Sequence, residues 1–134
     1  MGIEGEAAAA AARHRTTDDL IQLADRVGRL ESLDVSKDPG LEQDFEFHLC
    51  VAQASHNNFY VSVLNAIRDN IFGGMLLART TSGLRTAEKV SAINEQHRAI
   101  YDAIVAGDPD RARGAMRYHL SACRKSTRHW DASA

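Results

Sequence analysis

An acid and a histidine four residues apart, Asp44 and His48, stand inside the apolar run DFEFHLCVAQ. Turned at 100° per residue, they lie about 40° apart on one helical face. Leu41, Phe45 and Ala52 share that face, which marks it for burial. His97 occupies the same kind of position in the series Val90, Ile93, His97, Ile100, Ile104, and His119 does so in Ala112, Ala115, His119, Ala122. Three helices therefore each put an imidazole where an apolar side chain would normally pack.

Burying three imidazoles and a carboxylate without partners costs several kcal/mol. A divalent cation satisfies all four at once. Nitrogen and oxygen donors of this kind suit Zn²⁺ first, and also Ni²⁺, Mn²⁺ or Fe²⁺, with room for a water or carboxylate ligand. The competing reading is a polar core whose members pair with one another, since one histidine on an apolar face is usually a satisfied core residue. Spacing leaves both open. His14 beside Arg13 and Arg15, His56 in SHNN, and His129 in the closing HWDASA read as surface or structural residues.

The sequence contains no HExxH, no Glu-x-x-His, no GxSxG and no phosphate-cradling glycine loop. Zincin protease, di-iron carboxylate and nucleophile-elbow chemistries are thus unsupported. No general base stands beside the four candidate donors, so holding a ligand is expected rather than transforming it. A metal-dependent enzyme that uses an open coordination position is the alternative.

Those residues have to be carried by helices. The chain has 134 residues, 25% charged and 44% hydrophobic, with a formal net charge of −2. That describes one ordinary globular domain spanning 1–134, with no electrostatic bias toward nucleic acid or an anionic membrane. No apolar run reaches about 18 residues and no signal-peptide pattern opens the chain, so a soluble cytoplasmic protein is expected. Cys50 and Cys123 match no metal or redox spacing and are expected to be buried, reduced thiols.

Periods of three and four recur throughout, and no segment alternates long enough for a strand, which predicts an all-α fold. The first helix runs from about Ile3 through EGEAAAAAARHR. Thr16 or Thr17 caps the second, with Asp18 and Asp19 in its first turn and Leu20, Leu23, Val27 and Leu30 as its stripe. SKDPG is a turn, the third helix spans about Leu41 to Ser55, and the fourth about Phe59 to Thr80, with Gly73-Gly74 a weak point inside it. Thr86 opens a fifth that ends at Gly107. Asp108-Pro109 starts a sixth, whose arginines and lysine (Arg111, Arg113, Arg117, Arg124, Lys125, Arg128) read as a solvated face. Six helices with short connections predict an antiparallel bundle with an internal metal or ligand cavity.

The runs DFEFH, ASHNN and EQHRAIYDAIVAGDPDRARGAMRYHL, together with the opening IEGEAAAAAARHRTTDDL, resemble the FCD effector-binding domain of FadR-type GntR transcriptional regulators. The resemblance covers nearly the whole chain. It implies a helical bundle in which Asp44, His48, His97 and His119 coordinate a divalent ion, the pattern of the metal-containing, organic-acid-responsive branch. It further implies a small carboxylate bound over the metal and a homodimer. Arg79 is similar in placement to an arginine of lactate-responsive members and would pair with that carboxylate. Asn94, one turn before His97, could reach the ligand or a metal-bound water, whereas Asn57 reads as structural. The winged helix-turn-helix through which such regulators bind DNA does not occur in these 134 residues. DNA would be bound only through that separate domain.

Overall fold

The computed structural model describes residues 2–38, 40–68 and 87–133, with side chains as far as Cys123. Helix α1, Gly2–His14, buries Ala7, Ala8, Ala9, Ala11 and Ala12 on almost every side. Alanine combines high helix propensity with minimal bulk, so this helix can be surrounded closely. It packs most extensively on α6 (Pro109–Ser133), then on α3 (Leu41–Ala54) and α5 (Ala87–Ala106). Helix α2, Thr17–Glu31, covers α3 and α5, and α4, Asn58–Ala66, lies against α3. The described residues form these six helices and no strand, which agrees with the all-α expectation.

Local chemistry sets the helix boundaries. Thr16 caps α2 in a reciprocal box with Asp19: its hydroxyl accepts from Asp19 N, and Asp19 Oδ2 accepts from Thr16 N. The Asn57 side chain accepts from Phe59 N and starts α4, the structural role expected of it. Asp108 Oδ1 accepts from Arg111 N at the head of α6, just before Pro109. The turn into α6 needs Gly107, whose φ is +68°. Arg15 fills the space beside it. Its Nη2 lies 3.0 Å from where a Cβ would sit and donates to Val105 O at 3.1 Å, closing the end of α5.

The main core gathers Leu23, Val27, Phe47, Val51, Ile100, Ile104 and Met116 around the α1 alanines. Two expectations are corrected here. Helix α3 buries Phe47, Cys50, Val51 and Ala54 as well as the Asp44 face, because α1, α2 and α4 enclose it. Cys123 is exposed on the outer part of α6, while Cys50 is buried, and burial pushes its thiol up to about 11. Helix α4 starts at Asn58 and is described to Ala66. Its expected continuation to Thr80, Gly73-Gly74 and Thr86 lie outside the described residues.

Among the described residues no helix is long and apolar enough to cross a membrane. On the basic face of α6, Arg111 and Arg117 are exposed as expected, and Arg117 reaches Glu6. Arg113 is largely buried and holds Glu6 of α1 and Asp110; the side chains of Arg124, Lys125 and Arg128 lie outside the described residues.

Candidate metal and ligand site

Helix α3 supplies Asp44 and His48 from successive turns, α5 supplies His97 and α6 supplies His119. All four are buried, at 4%, 5%, 1% and 2% exposure respectively. One donor atom from each can be chosen so that all four lie within 4.8 Å of one another. The residues singled out by helical periodicity on three separate segments therefore meet at one point inside the bundle.

Contacts within the group are close but poorly satisfied. His97 Nε2 lies 3.0 Å from Asp44 Oδ1, and His48 Nε2 lies 3.8 Å from Asp44 Oδ2. Neither ring nitrogen of His97 has a hydrogen-bond partner, although both are buried. The rings crowd together: His48 and His119 stack at 5.4 Å between centroids, and His97 meets His119 edge-on at 4.5 Å. Phe47 walls the group, packing against His48 and His97 at 5.7 and 5.0 Å.

Two side chains outside the quartet stand behind its rings, and neither was expected from the sequence. Glu4 Oε1, from the first turn of α1, lies 2.8 Å from His48 Nδ1. Gln96 Oε1 lies 2.7 Å from His119 Nδ1. On His119 the acceptor at Nδ1 fixes the ring's orientation and leaves Nε2 toward the centre; on His48 the Glu4 carboxylate is a close ionic neighbour of Nδ1, off the line of a hydrogen bond.

Charges are arranged accordingly. Burial works against the ionised Asp44 carboxyl, but His48, then His97 and His119, outweigh it and hold the group well below the usual carboxylate range. Burial likewise disfavours a charged His48, yet Glu4 and Asp44 on either side raise it to about 9. His119 goes the other way: burial, with His48 and His97 nearby, lowers it to about 3.

This arrangement suits a divalent ion. The buried nitrogens of His97 make no well-directed hydrogen bond, even with Asp44 Oδ1 only 3.0 Å from Nε2. Donors up to 4.8 Å apart would draw in by up to about 0.8 Å to reach bonds of roughly 2.1 Å to a tetrahedral ion. Two carboxylates, Asp44 and Glu4, also face three imidazoles that can be neutral, so two positive charges would balance the site.

Asn94 is half-buried on α5. It lines an open cleft of about 840 Å³ shared with Glu31, Val35, Arg98 and Arg111, to which none of the quartet contributes. Arg79 lies outside the described residues. His14 is exposed at the end of α1, and His56, also exposed, pairs through Nε2 with Asp19 Oδ2 at 2.6 Å. The His129 side chain lies outside the described residues.

A family model described as the FCD domain matches residues 1–122. The HTH-type transcriptional regulator LutR of Bacillus subtilis is 31% identical over 114 residues, which cover 85% of this chain and 52% of LutR. The Glc operon transcriptional activator of Escherichia coli is 28% identical over 129 residues, 92% of this chain and 50% of the activator. Among solved structures, a Streptococcus agalactiae GntR superposes with a TM-score of 0.70 at 30% identity, covering 90% of this chain and 52% of that one. The chain thus spans about half the length of these relatives.

Proposed function

Because the chain belongs to the FCD domain family, we propose that it is the effector-sensing domain of a GntR-type transcriptional regulator. In this reading it belongs to the FadR-type, metal-containing branch. Asp44, His48, His97 and His119 hold a divalent metal, with Zn²⁺ favoured by the donor set over Ni²⁺, Mn²⁺ or Fe²⁺. A small organic acid completes the site.

The observation that carries this reading is the buried quartet with both His97 nitrogens unsatisfied. A polar core evolved only to pair with itself would not leave them so. When bound, the metal would supply a Lewis-acidic anchor for a carboxylate oxygen. Asp44 and Glu4 already balance a divalent charge, so an added carboxylate brings one negative charge too many. A guanidinium answers that need, and it is the role proposed for Arg79.

Binding would bias helix positions and, through them, a DNA-binding domain outside these 134 residues, in a cytoplasmic homodimer. The relatives are transcriptional regulators by name, which disfavours the alternative of a metal-dependent enzyme. A thermal-shift screen of small carboxylates tests the proposal. At least one acid should raise the melting temperature of zinc-loaded protein and leave chelated protein unchanged. Equal stabilisation of both forms would refute a metal-bridged effector.

A further inference from the structure

Helix α1 gives the quartet no donor, yet it reaches the site through one side chain. Glu4 stands in its first turn with only 13% of the side chain exposed, and its Oε1 meets His48 Nδ1 at 2.8 Å. The first turn has a second polar anchor in Glu6, which takes Arg113 and Arg117 from α6. Ile3 beside it is 41% exposed. Gly5 is buried against Arg113 and Arg117, so Glu6 and Gly5 tie this turn to α6, and Glu4 is the side chain of the turn that touches the quartet.

We propose that Glu4 is a positioning residue that couples the state of the metal site to the order of the first turn of α1. The inference rests on the metal reading above. The Glu4 carboxylate lies 2.8 Å from His48 Nδ1 but off the line of a hydrogen bond, and His48 Nε2 is the nitrogen on the Asp44 side. Polarisation of the ring by a cation on Nε2 would make Nδ1–H a stronger donor and draw it into line with Glu4. The coupling is reciprocal. Whatever orders the first turn of α1 raises metal affinity by the same factor, and whatever pulls that turn away lowers it. The start of α1 thereby becomes an output and an input of the site, on an element separate from its ligands.

The test uses the full chain with Zn²⁺ alone as probe, comparing wild type with Glu4→Ala and Glu4→Gln. Zinc affinity is read by competition with a chromophoric chelator, and amide hydrogen exchange is followed across residues 2–8. Imidazole ¹⁵N shifts report on the His48 ring. Zinc should slow exchange in the first turn of the wild type. Glu4→Ala should bind zinc about 10- to 100-fold more weakly, lose that slowing and change the His48 ¹⁵N signals. Glu4→Gln keeps an acceptor oxygen and should recover part of each effect. It also carries the test if the alanine variant does not fold.

Zinc affinity and first-turn protection that are the same in all three proteins would overturn the coupling while leaving the metal site intact. A wild type that takes up no zinc would overturn the metal reading and this inference together.

Discussion

His97 Nε2 lies 3.0 Å from Asp44 Oδ1, but the ring is not turned to donate to it. Nitrogen and oxygen approach each other as two donors do when they converge on a third point. Two other features of the quartet are consistent with that relationship: Nδ1 of His119 is held from behind by Gln96, and Nδ1 of His48 has the Glu4 carboxylate 2.8 Å away but off the line of a hydrogen bond. The expectations below follow from it and from the packing that maintains it.

Replacing His97 with Leu separates the metal site from a self-paired polar core. The substitution keeps roughly the same volume and removes two buried, unpartnered nitrogens. Asp44 loses one of the neighbours that keep it ionised but retains His48, so metal-free protein should stay within about 1 kcal/mol of the wild type in urea unfolding. The same variant should bind no metal. A loss of several kcal/mol in the metal-free state would mean that His97 is paired in the core after all.

Metal uptake should release a proton. In the metal-free fold, burial opposes the charged His48 but Glu4 and Asp44 raise it to about 9, from 6.5 unperturbed. A raised histidine contributes stability that is complete below about 6.5 and is lost as pH climbs through about 9. At pH 7.5 His48 is thus protonated, and a metal must displace that proton. Calorimetric titration with Zn²⁺ in two buffers of different ionisation enthalpy should give roughly one proton released per ion, with apparent affinity rising toward pH 9. Heats that do not depend on buffer would contradict the charge arrangement.

Gly107→Ala tests the turn that delivers α6, and with it His119. The backbone there has φ +68°, and the added methyl would meet Arg15 Nη2 at 3.0 Å. A loss of about 1–2 kcal/mol is expected from the denaturation midpoint. Metal content should stay unchanged, because His119 lies further along α6 and the other three donors lie on α3 and α5.

Arg79→Ala should weaken binding of the effective carboxylate by about 10-fold or more while leaving metal occupancy intact. Joint loss of metal and carboxylate would instead mark Arg79 as a support of the fold.

The quartet was legible because a 3.6-residue period places Asp44 and His48 on one buried face, and puts His97 and His119 on stripes that also carry core residues. Glu4 was not, since an acid in a first helical turn is already accounted for by the helix dipole. Its role appears only when α1 is laid across α3. Gln96 was hidden for a similar reason, as a polar neighbour of His97 with no partner visible in sequence.

Periodicity showed one face of α3 but could not show that three helices enclose it. It misplaced Cys123 because it does not reveal where α6 outruns the core. Asn94 lies one turn before His97 and shares its approximate direction. The structure nevertheless turns it to an open cleft beside Glu31 and Arg98, a distinction of side-chain aim that spacing cannot make.

The most direct measurement is metal content by elemental mass spectrometry on untagged protein, beside the Asp44→Ala, His48→Ala double variant. The account predicts close to one divalent ion per chain in the wild type and essentially none in the variant. Wild-type protein that carries no metal even after reloading, or a variant that retains it, would contradict the account at its centre.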